Sequence, residues 1–268
     1  MSYGMMLCVQ TDHKAEFDAL WNWVMHYMYI QDGPNAGYFA WSCRTDGTPN
    51  AKGPAPEARS ILPCALFAAG RWGCGSGIYD YAAMARRILH SCLHKGERPG
   101  TGRPTVGPRK HLIKFHHRVV NFTRSVLPSA HFYTLFSLWA DEEDRPFWAA
   151  AARASRAFLH KVCHPVTGLC AEYSLYDGTP HNRSDRDQRH DLYYSDAYRT
   201  IANMALDYAW FRADPWQAEN AERLQNFSAI RCTAAQTESG RLTARRCPGR
   251  PCTPWPSQPP TPRLAWAL

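Results

Sequence analysis

The sequence predicts an all-α fold made of helical hairpins. Apolar residues recur with a helical period along most of the chain, and two segments open with an aspartate and a proline, the signal of a helix start. One short run, YFAWSC at 38–43, resembles a strand. With 268 residues and 45% hydrophobic content, the chain can bury a sizeable core as one large domain or two ordinary ones.

The first predicted helix spans residues 15–30. Its apolar residues share one face at helical spacing, namely Phe17, Leu20, Trp21, Val24 and Met28. The Gly33-Pro34 pair follows this segment, and we expect the helix to end before it because proline cannot continue a helix.

The next region combines a helix with a conflicting signal. Residues 65–72 have the composition of a buried helix face, but Pro63 stands where that helix should already be running. A proline inside a helix costs about 3 kcal/mol or more, so we expect Pro63 to damage it. Another helix is predicted over 78–93, with one face made of Tyr81, Ala85, Ile88, Leu89 and Cys92.

Three more helices are predicted in the second half. Two begin with an aspartate at the cap and a proline in the first turn, at Asp144 with Pro146 and at Asp214 with Pro215. Between them, the segment 195–211 carries a helical stripe of Tyr198, Ile201, Ala202, Ala205 and Ala209.

The character of the sequence changes after Ile230. Residues 231–268 hold seven of the twenty prolines and show no helical period. Proline at this density blocks helices because it removes backbone donors. We therefore expect one domain over 1–230 and a Pro- and Arg-rich tail over 231–268 that is disordered.

The net charge of +8 raises the question of nucleic-acid binding. Residues 231–268 carry +5 and residues 98–124 carry +7, which leaves −4 on the remainder of the chain. Neither basic stretch has aromatic residues at a stacking period, so we expect no nucleic-acid partner.

Membrane and secretion signals are not evident. No apolar run of about 18 residues occurs, and the N-terminus lacks the order of a signal peptide, so we expect no membrane partner and a cytoplasmic location. The ten cysteines are scattered singly, and we interpret them as free thiols.

Several loops combine aromatic residues with carboxylates, among them GYFAWSCRTDGTPN, AEYSLYDGTP and YYSDAYR. Sugar rings pack their C–H faces on Trp and Tyr, and their hydroxyls bond to Asp, Glu, Asn or Arg. Such loops therefore suit a polysaccharide groove. The alternative, which these loops alone favour, is that the aromatic residues fill a core.

Asp196 is the best candidate for the ionised carboxylate that glycoside hydrolysis requires. It lies at a predicted helix start, where the helix dipole stabilises negative charge, and Arg199 follows one turn later as a cationic partner. The alternative is an exposed helix cap with an ordinary ion pair.

Other chemistries find less support. The chain has no dinucleotide-binding or phosphate-binding glycine pattern and no Gly-x-Ser-x-Gly elbow. His116-His117, Cys163-His164 and the Cys247/Cys252 pair lack the spacing of paired metal ligands. We therefore expect neither a metal nor a cofactor.

Four segments together resemble glycoside hydrolase family 8, and within it the reducing-end xylose-releasing exo-oligoxylanases. They are residues 1–57, which begin MSYGMMLCVQ, with LFAAGRWGCGSGIYDY, HFYTLFSLWADEEDRPFWAAAARASRAFL and YYSDAYRTIANMALDYAWFRADPWQ. The resemblance implies that residues 1–230 are a catalytic domain with an incomplete (α/α)6 barrel. It also implies an inverting mechanism and release of xylose from the reducing end of xylo-oligosaccharides.

The resemblance also assigns site residues. It implies that Asp196 is the general base and that Arg199 orients it. Trp41 matches a sugar-stacking tryptophan, and Tyr3 and Tyr38 fall on substrate-binding positions.

The chain departs from the family pattern at three places. The family places its general-acid glutamate two residues before the methionine of MSYGM, which here is Met1. Glu57 stands where a sugar-orienting aspartate is expected, and Leu127 where a tyrosine is expected.

These departures suggest a frame-slipped and truncated copy of such an enzyme. The segments EARSILPC, TVGPRK, RSVLPSA and PCTPWPS can each be encoded so that a shifted reading frame gives family-like residues. We therefore expect two compensated slips inside the chain and a terminal one near residue 231. Three functional hypotheses stay open: an impaired glycosidase, an oligosaccharide-binding remnant, and a non-functional product that folds poorly.

Overall fold

The structure is a computed structural model that describes residues 1–40, 42–50, 61–97, 100, 111–112, 122–124, 129–182 and 189–237. For residues 122, 124, 195 and 230–237 it describes the backbone alone. Trp41, Glu57 and Leu127 therefore lie outside the described residues, as do TVGPRK and the part of the tail beyond 237.

Eight α-helices account for most of the described chain. They are α1 (Ser2–Thr11), α2 (Lys14–Trp23), α3 (Ile61–Trp72), α4 (Tyr81–His94), α5 (Ala130–Trp139), α6 (Arg145–Val162), α7 (Tyr198–Phe211) and α8 (Trp216–Thr237). Two strands of three residues, β1 (Phe122–Arg124) and β2 (Tyr173–Leu175), pair antiparallel with Phe122 opposite Leu175. The predicted all-α class is confirmed.

The first four helices pack around an aromatic cluster. Helix α1 packs against α2 and α3, and α3 packs against α4. Phe17 and Trp21 of α2 are fully buried, and the rings of Trp72 and Tyr81 meet Phe17 edge-on at 5.3 and 5.5 Å. The Trp21 indole Nε1 also donates to the Ile78 carbonyl at 2.7 Å, so the polar edge of this buried ring is satisfied.

A second set of helices is joined by a buried ion pair. Arg156 of α6 donates from Nε and Nη2 to both carboxylate oxygens of Asp207 on α7, at 2.8 and 2.7 Å. Gln217 of α8 donates to Asp207 at 2.7 Å, and Thr134 of α5 accepts from Arg156 at 3.0 Å. One charged centre thus connects four helices.

The predicted helix starts agree well with the structure. Asp144 is the cap of α6, and Pro146 lies in its first turn. The Gln217 N–H donates to the Asp214 carbonyl as α8 begins. The helix predicted over 15–30 is present as α2 followed by a π-helical turn, Val24–Met28, which ends it two residues earlier.

Three expectations need correction. Helix α3 is continuous over Ile61–Trp72, so Pro63 does not interrupt it within the described residues. YFAWSC forms isolated bridges, Tyr29 with Phe39 and Cys43 with Pro49, and its described residues form no strand. The backbone of α8 continues to Thr237, so the helix enters the predicted tail.

The chain divides into a unit Met1–Ser228 and a unit Ala229–Leu268, and the second is described as far as Thr237. Within the described residues, no helix has the length and apolar content needed to cross a bilayer.

Candidate active site

Asp196 lies where the sequence predicted it, at the N-terminal end of a helix. A single 3₁₀ turn, Ser195–Ala197, carries it directly into α7. The neighbouring Ala197 is buried against the core cluster that contains Phe158 and Leu159 of α6, which anchors the turn. The Asp196 side chain keeps 20% exposure, so it is accessible to water without lying on the open surface.

Arg199 contacts Asp196 as the spacing predicted. Its Nη2 lies 3.1 Å from Asp196 Oδ1, and its Nε donates to the Tyr198 hydroxyl at 3.3 Å. This hydrogen bond to Tyr198 is the main cause that raises the pKa of Arg199. Burial opposes the rise, while Asp196 adds to it through its negative charge. The guanidinium therefore stays charged and fixes one oxygen of the carboxylate.

Tyrosines with exposed rings are close to this pair in sequence or in space. Tyr194 and Tyr198 flank Asp196 along the chain and are 44% and 57% exposed. Tyr3, on α1, is 74% exposed and close enough to Arg199 to act on its charge. An exposed ring beside a carboxylate and an arginine offers both the apolar face and the hydrogen-bonding groups that a sugar ring needs. The role of Tyr3 in substrate binding stays a prediction from the resemblance.

A buried polar pair positions the segment that leads into Asp196. His190 Nδ1 and Glu172 Oε2 are 2.6 Å apart, and both residues are buried. The Tyr173 ring stacks on His190 with centroids 4.1 Å apart, and the Glu172 N–H donates to the Leu192 carbonyl. Residues 190–192 are therefore fixed to the segment around β2, a few residues before Asp196.

Four of these residues are not predicted as site residues from the sequence. Tyr198 is predicted as part of the apolar stripe of α7, and neither Tyr194 nor Tyr198 is predicted as a site residue. The Glu172–His190 pair spans eighteen positions, and neither residue stands in a spacing that signals a partner. In the sequence, the placement of Tyr194 and Tyr198 two residues on either side of Asp196 is the feature that could indicate their role.

Tyr38 is buried, in contrast to the prediction that it contacts substrate. It is 4% exposed, its hydroxyl donates to the Ser91 carbonyl at 3.4 Å, and the Lys95 ammonium lies 4.9 Å from its ring centroid. A ring enclosed in this way cannot stack on a sugar. Tyr38 is part of the core beside α4, and the sequence prediction that it binds substrate is wrong.

The loop that follows Trp41 packs closely on Tyr27. Gly47 has a φ of 85°, and a Cβ at this position would overlap the Tyr27 ring. Tyr27 in turn packs on Trp23, with centroids 4.3 Å apart. Residues 42–50 are thus held against the end of α2, whereas Trp41 itself and Glu57 lie outside the described residues.

An all-α framework that presents a partly exposed carboxylate, an arginine and tyrosine rings matches the needs of a glycoside hydrolase that activates water with a carboxylate. The sequence profile described as "Glycosyl hydrolases family 8" matches residues 1–240. The chain belongs to glycosyl hydrolase family 8.

Among the proteins of this family that the chain resembles are two exo-oligoxylanases. The chain is 52% identical over 229 residues to "Reducing-end xylose-releasing exo-oligoxylanase Rex8A" from Paenibacillus barcinonensis, covering 85% of this chain and 59% of that protein. It is 48% identical over 231 residues to "Reducing end xylose-releasing exo-oligoxylanase" from Halalkalibacterium halodurans, covering 85% and 58%.

Solved structures give the same picture. The structure of Rex8A from Paenibacillus barcinonensis complexed with xylose superposes with a TM-score of 0.80 at 49% identity, covering 84% of this chain and 59% of that one. This likeness agrees with the helical-barrel fold implied by the resemblance. The chain spans about three fifths of the length of these relatives.

Proposed function

We propose that the protein is an inverting glycosidase that releases xylose from the reducing end of xylo-oligosaccharides. Three relatives at 48–52% identity carry that activity in their names. A further neighbour at 47% identity is a mutant of a reducing-end-xylose releasing exo-oligoxylanase, complexed with xylobiose. The observation that carries the proposal is the Asp196–Arg199 contact at the start of α7, within a chain that belongs to this family.

In the proposed mechanism Asp196 acts as the general base. Its ionised carboxylate takes a proton from a water molecule as that water attacks the anomeric carbon, which inverts the configuration there. Arg199 binds Oδ1 of Asp196 and so orients the carboxylate. By family resemblance, Trp41 stacks on the sugar and Glu57 occupies the position of the sugar-orienting aspartate.

The second carboxyl group of the mechanism must protonate the leaving oxygen. The resemblance places this general acid two residues before Met1, a position that the printed sequence does not include. A polypeptide that starts at Met1 would lack this group, and because general-acid catalysis contributes about 10² to 10⁴ in rate, we expect such a polypeptide to show negligible hydrolysis of xylotriose.

Two measurements with xylotriose and one of near-ultraviolet dichroism separate the three hypotheses. Chromatography of a long incubation reports xylose release, and titration calorimetry reports binding. Binding without xylose release supports a site that retains its sugar contacts. Rapid xylose release contradicts the expected impairment, and lack of binding together with a weak near-ultraviolet dichroism signal supports a non-functional, poorly folded product.

A substrate with a better leaving group tests the base directly. Fluoride leaves without protonation, so β-xylobiosyl fluoride requires the base but not the general acid. We expect the chain to accelerate fluoride release from this compound while leaving xylotriose intact.

The frame-slip hypothesis also stays a proposal. Sequencing the DNA across the four segments and the region before Met1 tests it. A neighbouring frame that encodes family-like residues at each point supports the hypothesis, and clean reads with no such frame refute it.

The cytoplasmic location likewise stays a prediction, which cell fractionation would test.

A further inference from the structure

Two histidines and an aspartate converge where α4 ends and α6 begins. His90 and His94 lie one turn apart on α4, and their rings stack with centroids 4.2 Å apart at an angle of 29°. Asp144, the cap of α6, places Oδ1 2.9 Å from His94 Nε2. One ligand atom from each of the three residues lies within 4.8 Å of the others.

We propose that His90, His94 and Asp144 bind a divalent transition-metal ion of the zinc class. Two imidazoles and one carboxylate are ligands that zinc commonly takes, with water in the fourth position. Histidines four residues apart on a helix face the same way, so α4 offers two of the three ligands from one rigid element. This pair was overlooked in the sequence, where no metal was expected.

Glu97 prepares His94 for this role. Its Oε1 lies 2.7 Å from His94 Nδ1. When the imidazole donates its Nδ1–H to Glu97, the lone pair of Nε2 faces Asp144 and the metal. A carboxylate behind a histidine ligand is the usual means of fixing both the tautomer and the ring orientation.

Asp144 supplies the second, independent observation. Its side chain is 7% exposed, and within the described residues its Oδ2 is buried with no hydrogen-bond partner. A buried carboxylate oxygen without a partner is costly, and a bound cation would satisfy it.

The alternative is a simple ion pair between His94 and Asp144. The two cases differ in what they require of His90, whose ring is exposed and takes no part in the ion pair. A metal ion needs His90 as a ligand, whereas the ion pair does not. The metal would link two helix ends and is independent of the proposed sugar chemistry.

The test uses the 268-residue chain after removal of metals with a chelator. Zn²⁺ binding is measured by titration calorimetry, and Co²⁺ is added separately as a spectroscopic probe of a tetrahedral site. We expect one binding event that raises the thermal midpoint, and we expect His90→Ala to weaken Zn²⁺ binding at least about tenfold. His90 is exposed, so this variant should unfold at the same temperature as the wild type in chelator.

His13→Ala is the matched control, since His13 is an exposed histidine beside Glu16, at 3.6 Å, without a second histidine one turn away. It should bind Zn²⁺ as the wild type does. Equal Zn²⁺ affinity in the wild type and His90→Ala overturns the proposal, as does an equal loss in His13→Ala. Absence of Zn²⁺ binding by the wild type overturns it as well.

Discussion

At the scale of single residues, the contact between Arg199 and Asp196 is the feature from which the proposed chemistry starts. Arg199 holds one carboxylate oxygen at 3.1 Å and is itself held by the Tyr198 hydroxyl. The role that we assign to Arg199 is to position the base. Its removal should therefore affect turnover more than substrate affinity.

Replacing Arg199 tests this role. In Arg199→Ala we expect kcat for β-xylobiosyl fluoride to fall about tenfold or more with KM little changed, because Asp196 loses the contact that orients it. Arg199→Lys, which keeps the charge, should recover part of the rate. Arg223→Ala, an exposed arginine paired with Glu219, serves as the control. A rise in KM at constant kcat would argue against a positioning role.

The burial of His131 should make the stability of the fold depend on pH. It is fully buried between Phe132 and Trp210, and neither of its ring nitrogens has a hydrogen-bond partner among the described residues. Burial is the main cause that lowers the pKa of His131 to about 3. The unfolded chain binds a proton near the ordinary histidine pKa of about 6.5 and the folded chain does not. Stability contributed by this residue is thus present above that pH and is lost as the pH falls.

We therefore expect the free energy of unfolding to drop by about 1 kcal/mol between pH 7 and pH 5.5 through His131 alone. Urea denaturation at several pH values measures it. In His131→Phe this part of the pH dependence should disappear, whereas the exposed His26→Phe should retain it. An unchanged slope in His131→Phe would show that the residue is not the cause.

At the scale of the elements, the Arg156–Asp207 pair explains how α5 to α8 are joined. Asp207 is 1% exposed and receives three hydrogen bonds from Arg156 and Gln217. The loss of either member of a buried ion pair is costly, because it leaves the other charge buried without its partner.

Asp207→Ala should accordingly lower the free energy of unfolding by about 3 kcal/mol or more, as measured by urea denaturation. Removing both charges in Arg156→Leu with Asp207→Leu should cost less than the single change. Glu219→Ala, which breaks the exposed pair with Arg223, should cost less than about 1 kcal/mol. Equal losses in the buried and exposed pairs would refute the assigned role.

The Glu172–His190 pair makes a similar prediction for the segment before Asp196. Glu172→Ala leaves His190 Nδ1 without this partner, which should cost about 1 to 3 kcal/mol and speed amide hydrogen exchange in residues 189–192. Glu172→Gln keeps an acceptor and should restore most of the protection. Arg189→Ala, on the same segment but in an exposed pair, is the control. Unchanged exchange in Glu172→Ala would contradict the account.

The helices could largely be predicted from the sequence because their signals are local. Asp144 with Pro146 marks the start of α6, and the stripe that begins at Tyr198 marks α7. Helix α1 was missed because apolar residues occur on both of its faces, with Met5 buried and Leu7 60% exposed. Strands of three residues, such as β1 and β2, are too short to show an alternation.

The site was predicted in part for the same reason. Asp196 and Arg199 are three residues apart, so their contact follows from helix geometry alone. Tyr38 could not be judged in this way, because its burial depends on Ser91 and Lys95, which are distant in the sequence. The role of Glu172 likewise depends on a contact that folding creates.

At the scale of the whole molecule, the described helices form a buried core, and α7 begins at the candidate site. The region that matches the relatives covers 84–85% of this chain and about three fifths of each relative. Exposed apolar side chains occur on the helices that carry the site, Leu7 on α1 and Leu206 on α7. The central claim is the proposal that Asp196 is the general base.

Fluoride release from β-xylobiosyl fluoride, followed with an ion-selective electrode, tests this claim most directly. We expect the 268-residue chain to accelerate release above the buffer rate, Asp196→Asn to reduce it to that rate, and the exposed Asp141→Asn to leave it unchanged. If Asp196→Asn releases fluoride as fast as the wild type, then Asp196 is not the general base and the assignment of the site is wrong.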